Sequence, residues 1–266
     1  RRINLMVNVE NQRLDSYTVN GARFQLLDPD SSVSKETTEG VDYEPAVTQY
    51  LKQILEKETL SFLDVGAHYG YYTVYVSKIS PDSRVYSFEP GVKHLKVLRE
   101  NLQINDVKAE IYDVALSDET KEVLFHNRTM KFAGQLETET IKAITFDELN
   151  NQEDIRPEIV KIDVHGAEGK VLYGMKTALK EAVKYLFIEI HAAHLLVDYS
   201  YKEILDILLD SGFKIFEMDK FRDTTSPVLV PIVGSAYEDF INFDKWTEDQ
   251  IKRERMIFAT KDPNTK

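Results

Sequence analysis

The stretch from Ser61 to Thr73, Ser-Phe-Leu-Asp-Val-Gly-Ala-His-Tyr-Gly-Tyr-Tyr-Thr, constrains this chain more than any other. Phe62, Leu63 and Val65 make a short apolar run of strand type, with Asp64 near its tip. Gly66 and Gly70 bracket a tight turn, where a residue without Cβ costs least. Tyr72, Tyr75, Val76 and Ile79 then recur at helical spacing and stop before Pro81. Strand, acid, glycine turn and helix, in that order, form one unit of an α/β sheet. They also form a place where a nucleotide-like cofactor can lie against bare backbone.

The rest of the chain repeats the unit. Val47, Tyr50, Leu51, Ile54 and Leu55 form a helical face ahead of it. Arg84 to Glu89 reads as a second strand closed by Pro90-Gly91, and Leu95, Leu98 and Leu102 mark the next helix. Ala109–Tyr112, Ile159–Val164, Tyr185–Ile190, Phe213–Met218 and Met256–Thr260 read as further strands. Val171, Leu172 and Met175 lie on one helix between them. Tyr201, Ile204, Leu205, Leu208 and Leu209 lie on another, stopped by Gly212. Lys121–His126 and Ile141–Thr145 read as an inserted hairpin. The alternation predicts a mostly parallel sheet with helices on both faces. Residues 1–40 read as an extension packing on the domain formed by 41–266. Within it, Ile3–Val9 and Arg23–Leu27 are short strands on either side of Asn20-Gly21, and Asp28–Gly40 is rich in turns.

Composition excludes several function classes. A net charge of −12, with acids spread along the chain, shows no basic footprint for nucleic acid or for an anionic membrane. No cysteine is present, which removes disulfides, thiolate metal sites and a cysteine nucleophile. No apolar run reaches the roughly 20 residues of a transmembrane helix. Without a signal-peptide pattern the reading is cytoplasmic, and the sequon Asn127-Arg128-Thr129 is coincidental.

In such sheets ligands bind beyond the carboxyl ends of the strands. Asp64, Glu89, Asp113, Asp163 and Glu189 close or follow the first five strands. Any one could merely favour a helix N-terminus. The spacing argues for more: Glu89 lies 19 residues beyond Gly70, where an acceptor-only carboxylate suits a ribose diol. A dinucleotide site is the rival, but Gly66-Ala67-His68-Tyr69-Gly70 does not match Gly-x-Gly-x-x-Gly. Asp64 would also face the anionic pyrophosphate. S-adenosylmethionine carries an ammonium and a sulfonium and no phosphate, so acids at the mouth favour it.

The ordered set of motifs resembles the FkbM-family methyltransferases, of the Rossmann-like, S-adenosylmethionine-dependent class. The matching stretches are Tyr43-Glu-Pro45, Asp64 to Thr73, Ser87-Phe-Glu-Pro90, Ala115-Leu-Ser-Asp118, Ile144 to Leu149, Lys161 to Glu168, and Glu189-Ile-His191. The resemblance implies a class I fold with a seven-stranded sheet, the last strand antiparallel. It implies methyl transfer to a hydroxyl of a small molecule or sugar. Carried over by position, it implies a cofactor site of Glu44, Asp64, Gly66, Ala67, His68, Gly70, Thr73, Glu89, Pro90, Asp113, Val114 and Asp163. His68 stands where the family usually has Asn, and His165 where it usually has Glu.

Methyl transfer to a hydroxyl needs alignment of the acceptor and removal of its proton. The candidate catalytic residues are His191, Asp163, Glu189 and His165. Glu189 and His191 share a face if the strand continues that far. Oxygen and imidazole ligands there would suit Mg²⁺, Mn²⁺ or Zn²⁺. The reading assigns no metal and takes the cluster as a polar group orienting the substrate. His94 reads as a surface position, and His194 as a neighbour of His191 or a loop cap. The region from Phe221 to Trp246 and the first 40 residues are expected to shape the acceptor pocket. Two rivals stand beside the methyltransferase: an NAD-type oxidoreductase and a non-catalytic cofactor-binding module of the same fold.

Overall fold

A computed structural model of the chain describes residues 14–35, 42–126, 138–223, 226–242 and 254–265. The first described element is a hairpin of β1 (Leu14–Val19) and β2 (Ala22–Leu27), paired antiparallel. Asn20 and Gly21 at its tip both have positive φ, the geometry a two-residue hairpin turn requires. The strand before the turn is therefore Leu14–Val19, which abuts it directly. The expected strand Ile3–Val9, like the sequon at Asn127, lies outside the described residues.

The chain continues through α1 (Pro45–Leu55), β3 (Phe62–Val65), α2 (Tyr71–Ile79), β4 (Val85–Phe88), α3 (Val92–Ile104) and β5 (Glu110–Tyr112). A side sheet follows: β6 (Ala115–Leu116), β7 (Lys121–His126) and β8 (Thr138–Ile144), in the order β6-β8-β7. β7 and β8 pair antiparallel, as the inserted hairpin predicts. Next come α4 (Phe146–Glu153), β9 (Ile159–Ile162), α5 (Glu168–Gly174), α6 (Lys176–Glu181), β10 (Tyr185–Ile190), α7 (Tyr201–Asp210), β11 (Lys214–Met218), β12 (Leu229–Pro231), α8 (Ser235–Ile241) and β13 (Arg255–Thr260). Local chemistry marks the starts. Pro45 opens α1, the Thr145 hydroxyl accepts from Glu148 N at α4, and Ser200 with Glu203 forms a capping box at α7.

The main sheet has the order β12-β11-β13-β10-β9-β3-β4-β5. β3, β4, β5, β9 and β10 pair in parallel, and β13 is antiparallel to both β10 and β11. This is the seven-stranded arrangement the sequence implies, with one addition. β12 extends it beyond β11, at an edge where Pro231 leaves no central ladder bond missing. From β3 the chain steps outward through β4 and β5, then returns to β9 on the other side. The switch in strand order lies between β3 and β9.

Side-chain alternation divides the core between the two sheet faces. Leu63, Val65, Tyr86, Phe88, Val160, Ile162 and Ile188 pack with the helices α4 to α8. Phe62, Val85, Ile159, Phe187, Met256 and Phe258 pack with α1, α2, α3 and the hairpin. On that second face the next residues along each strand are polar: Asp64, Ser87, Lys161, Asp163 and Glu189. The floor is apolar at the amino ends of the strands and charged at their carboxyl ends. Each fully buried large apolar side chain contributes about 1.5–3 kcal/mol, which supports the charged half.

Asn101 fixes the hairpin to this face. Its amide donates to Leu27 O at 3.1 Å and Tyr69 O at 2.7 Å, and its carbonyl accepts from Leu27 N at 2.7 Å. Asn105 likewise accepts from Gln25 N at 2.8 Å. α3 thus ties β2 to the loop that follows β3. Among the described residues no helix is long and apolar enough to cross a membrane.

Candidate active site

The loop after β3 spends its backbone donors on the protein itself. Gly66 N and Ala67 N both donate to Phe88 O, at 2.9 and 3.0 Å. Gly70 N donates to Ala67 O at 2.7 Å, and His68 N donates to Glu89 Oε2 at 2.9 Å. A phosphate cradle needs such N–H groups open, and none of these four is. Gly66, at φ 81°, has its missing Cβ directed at Asp163 O, only 1.9 Å away. Glycine is required there by the approach of β9 as much as by any ligand.

Glu89 follows β4 and is buried. Its Oε1 accepts from Gly91 N at 2.8 Å and lies 3.1 Å from His94 Nδ1. With His68 N on Oε2, three of its acceptor positions are filled. Burial pushes this carboxyl up, but the His94 hydrogen bond and charge outweigh it, and its pKa falls below the usual range. His94 is therefore not a surface residue: it is buried against Glu89 and packs edge-on to His68, with ring centroids 4.2 Å apart. Burial and then His94 push the His68 imidazole down to about 3. It stays neutral, and its Nε2 is buried with no hydrogen-bond partner.

Lys161 occupies the centre of the charged floor. It pairs across the sheet with Asp64 and Phe187. Its ammonium lies 3.8 Å from Glu44 Oε2, 3.8 Å from Asp163 Oδ2 and 3.9 Å from Glu189 Oε2, with the Tyr72 ring 5.2 Å away. Burial alone would discharge it, but these carboxylates outweigh burial and hold it protonated. Glu44, in the left-handed region just before α1, accepts from the Tyr72 hydroxyl. Arg222, from the loop after β11, pairs with Glu189 and lies 3.1 Å from Glu254 and 3.8 Å from Glu44. Asp64 accepts from the Thr73 hydroxyl at 2.6 Å, and Thr73 also meets Ser87 at 2.8 Å. Burial raises the Asp64 carboxyl to about 6. Asp163 and Glu189 split: burial opposes charge on both, Lys161, His165 and His191 bring Asp163 down to about 2, and Glu189 rises well above its ordinary value beside Asp163 and Glu44.

Asp163 also faces two imidazoles. His165 Nδ1 lies 3.5 Å and His191 Nε2 3.8 Å from its Oδ1, and the two rings stack at 4.6 Å. His191 Nδ1 meets the fully buried Glu168 at 2.8 Å. Burial opposes charge on His191, but the Glu168 bond raises its pKa. Glu168 also accepts from Gly166 N at 2.9 Å, so it anchors the turn that carries His165 at φ 54°.

Of the residues named from sequence, Asp64, Thr73, Glu44, Asp163, Glu189, His165 and His191 come together on one face. Glu89 and His68 lie beside them across the loop. Pro90 is half-buried beyond Glu89, Asp113 is exposed after β5, and Val114 packs against the opposite core cluster. His194 is exposed on a 3₁₀ turn. Sequence reasoning missed Lys161, Glu168 and Arg222 and misplaced His94. The signal for Lys161 was present: a lysine inside Ile-Val-Lys-Ile, two residues before Asp163 and so on the same face. Arg222 had no local signal. Part of the region from Phe221 to Trp246, including Trp246, lies outside the described residues.

Residues 64–215 match the Methyltransferase FkbM domain family. Over 135 residues the chain is 32% identical to the hexuronic acid methyltransferase AglP of Haloferax volcanii, covering 48% of this chain and 55% of that one. The chain thus spans about half the length of that curated relative. A protein of Streptococcus mutans assigned to the S-adenosylmethionine-dependent methyltransferases superposes with a TM-score of 0.51 at 8% identity, over 94% of this chain and 56% of that one. Methyltransferase FkbM of Methylobacillus flagellatus gives a TM-score of 0.47 at 16% identity, over 75% and 43%. The Streptococcus likeness is one of fold.

Proposed function

This chain belongs to the FkbM methyltransferase family, and we propose that it transfers a methyl group from S-adenosylmethionine to an oxygen of a sugar-like acceptor. The observation that carries this reading is the polarity of the strand ends. Acceptor groups dominate them, and the loop donors at residues 66, 67, 68 and 70 are already bonded. Such a mouth fits a ligand with an ammonium and a sulfonium and repels a pyrophosphate. The NAD reading loses its phosphate cradle on the same observation.

The chain's residues fit the cofactor in three zones. Glu44, Asp64, Thr73 and the loop Gly66–Gly70 would hold the methionine half, Glu89 and Pro90 the ribose, and Asp113 and Val114 the adenine. Glu89 keeps one acceptor position beyond the three already used. Glu44 Oε1 and His68 Nε2 are buried without hydrogen-bond partners, which suits a site completed by a ligand. When bound, S-adenosylmethionine supplies an electrophilic methyl group on a sulfonium.

The protein's own chemistry then lies at Asp163, His165 and His191. Glu168 accepts the Nδ1 proton of His191 and so leaves Nε2 as the proton acceptor facing the mouth. Asp163 Oδ1, beside both imidazoles, would orient the acceptor hydroxyl toward them. Glu189, whose carboxyl is pushed well above its ordinary value by burial and by Asp163 and Glu44, and Arg222 border the same space and would hold polar groups of the acceptor. The hexuronic acid of the Haloferax relative's name supports an acidic sugar as the acceptor class.

Incubation with methyl-labelled S-adenosylmethionine and a panel of neutral and acidic sugars and their glycosides tests the reading. Label is expected in a sugar product that survives mild alkali, as an ether at a hydroxyl does and an ester at a carboxylate does not. Calorimetry with S-adenosylmethionine and NAD decides the cofactor. Binding of NAD without binding of S-adenosylmethionine would overturn the proposal.

A further inference from the structure

Asp163 Oδ1 is a buried carboxylate oxygen with no hydrogen-bond partner. The two atoms that face it, His165 Nδ1 at 3.5 Å and His191 Nε2 at 3.8 Å, stand outside good hydrogen-bond distance. A cation bonded at about 2.1 Å to two donors spaces them roughly 3.0–3.6 Å apart. The observed gaps match that spacing to within a few tenths of an ångström. One ligand atom from each of the three residues lies within 4.8 Å of the others.

The surroundings are those of a ligand set. The contact of Glu168 with His191 Nδ1 turns Nε2 toward Asp163 Oδ1, 3.8 Å away. Positive charge between that nitrogen and the carboxylate stabilises the pair, and the gap is wide enough for a cation to supply it. A carboxylate behind a ligating imidazole is the usual support for such a ligand. The same Glu168 oxygen holds Gly166 N, so one buried carboxylate positions both imidazoles. Arg222 is taken up by Glu189 and Glu254, and Glu44, Asp163 and Glu168 outnumber the one remaining buried cation, Lys161, which lets the cluster accept a dication. Glu189, His191 and Glu254 form a second candidate group, but Arg222 already bridges its two carboxylates.

We propose that Asp163 Oδ1, His165 Nδ1 and His191 Nε2 bind one divalent first-row transition cation, in the range from Mn²⁺ to Zn²⁺. Two imidazoles with one carboxylate favour these ions over Mg²⁺ and Ca²⁺. Three protein ligands leave positions open toward the mouth. Resting on the methyltransferase reading, the cation holds the acceptor oxygen and lowers its pKa, and His191 Nε2 serves as its ligand in place of the base role.

The test reads binding alone, without cofactor or acceptor, so its failure is separate from failure of the methyltransferase reading. Tag-free protein is stripped with a chelator and titrated with Co²⁺, following visible d–d absorption. One equivalent is expected to bind and to be displaced by Zn²⁺. His165→Ala, at a half-exposed position, should weaken binding by at least about 10-fold with an unchanged circular dichroism spectrum, whereas Glu254→Ala should bind as the parent does. Absence of a Co²⁺ band at excess metal overturns the proposal. So does equal affinity in His165→Ala, or loss of binding in Glu254→Ala.

Discussion

Glu89 and Asp163 are both carboxylates just past parallel strands, on either side of the same loop. Glu89 is clothed: two backbone N–H groups and His94 surround it. Asp163 is bare at Oδ1, and Lys161, His165 and His191 stand 3.5 to 3.8 Å from its carboxylate. The first is preorganised by short hydrogen bonds and suits holding a ligand. The second is held by longer-range charge and leaves an oxygen free for chemistry.

The sharpest way to break this contrast is to separate binding from turnover. His191→Ala on the Asp163 side should lower the methyl-transfer rate by about 10²–10⁴-fold and leave S-adenosylmethionine affinity unchanged by calorimetry. A matching loss of affinity would merge the two regions into one binding site.

Lys161→Met tests the charge balance directly. It strands Glu44, Asp163 and Glu189 in a buried setting, and breaking such a set by removing one partner costs about 3–5 kcal/mol. Urea unfolding should show a midpoint lowered accordingly at pH 7, with less loss at acid pH where the carboxyls protonate. A neutral substitution would mean that the carboxylates are already protonated and that Lys161 balances nothing.

Glu89→Ala should weaken S-adenosylmethionine binding by about 10–100-fold, the worth of a hydrogen bond to a charged group. The sequence alone suggests that the fold is spared. The structure adds a cost: His68 N and Gly91 N lose their acceptor, at about 1–3 kcal/mol for each group left unsatisfied. Thermal unfolding together with calorimetry separates the two effects. Full affinity in this variant would remove Glu89 from the ribose role.

The difference in legibility between the regions has a physical cause. The sheet, its strand ends and the loop follow from period-2 and period-3.6 patterns and from glycine placement, which are local. Glu89 is visible through its spacing from Gly70. Lys161 was legible by alternation but disguised by its apolar neighbours, since a lysine in a buried strand reads as an exception. Arg222 and Glu168 reach the site through loop and helix geometry set by tertiary packing. His94 looked exposed because Val92, Lys93 and Lys96 around it are exposed, while its own ring turns inward to Glu89.

The smallest expected effect compares Glu89 with a third acid, Asp64, which is buried to the same degree at 3% exposure against 4%. Equal burial gives opposite shifts because the donors differ. Glu89 meets two N–H groups and an imidazole; Asp64 meets the hydroxyl and backbone of Thr73 alone, with Lys161 nearby, and burial wins there, raising it to about 6. In the unfolded chain Asp64 loses its proton near pH 3.9. Between about pH 4 and 6 the fold therefore holds the extra proton, and this group's contribution makes stability fall as pH rises through that window, by about 2–3 kcal/mol in total, and level off above it. Glu89 acts in the other sense, adding stability that is lost as pH falls below the ordinary carboxylate range. Asp64→Asn keeps an acceptor for Thr73 and removes the titration, so its urea midpoint should vary less between pH 4 and 6 and exceed the parent's at pH 7. An ammonium ligand beside Asp64 favours the ionised form, so S-adenosylmethionine binding near pH 5.5 should release a proton in the parent and fewer in the variant, read by calorimetry in buffers of different ionisation enthalpy. A parent whose Asp64-dependent stability rises from pH 4 to 6 would show instead that Lys161 and Thr73 hold the carboxylate ionised, and that Asp64 belongs with Glu89 among the clothed acids.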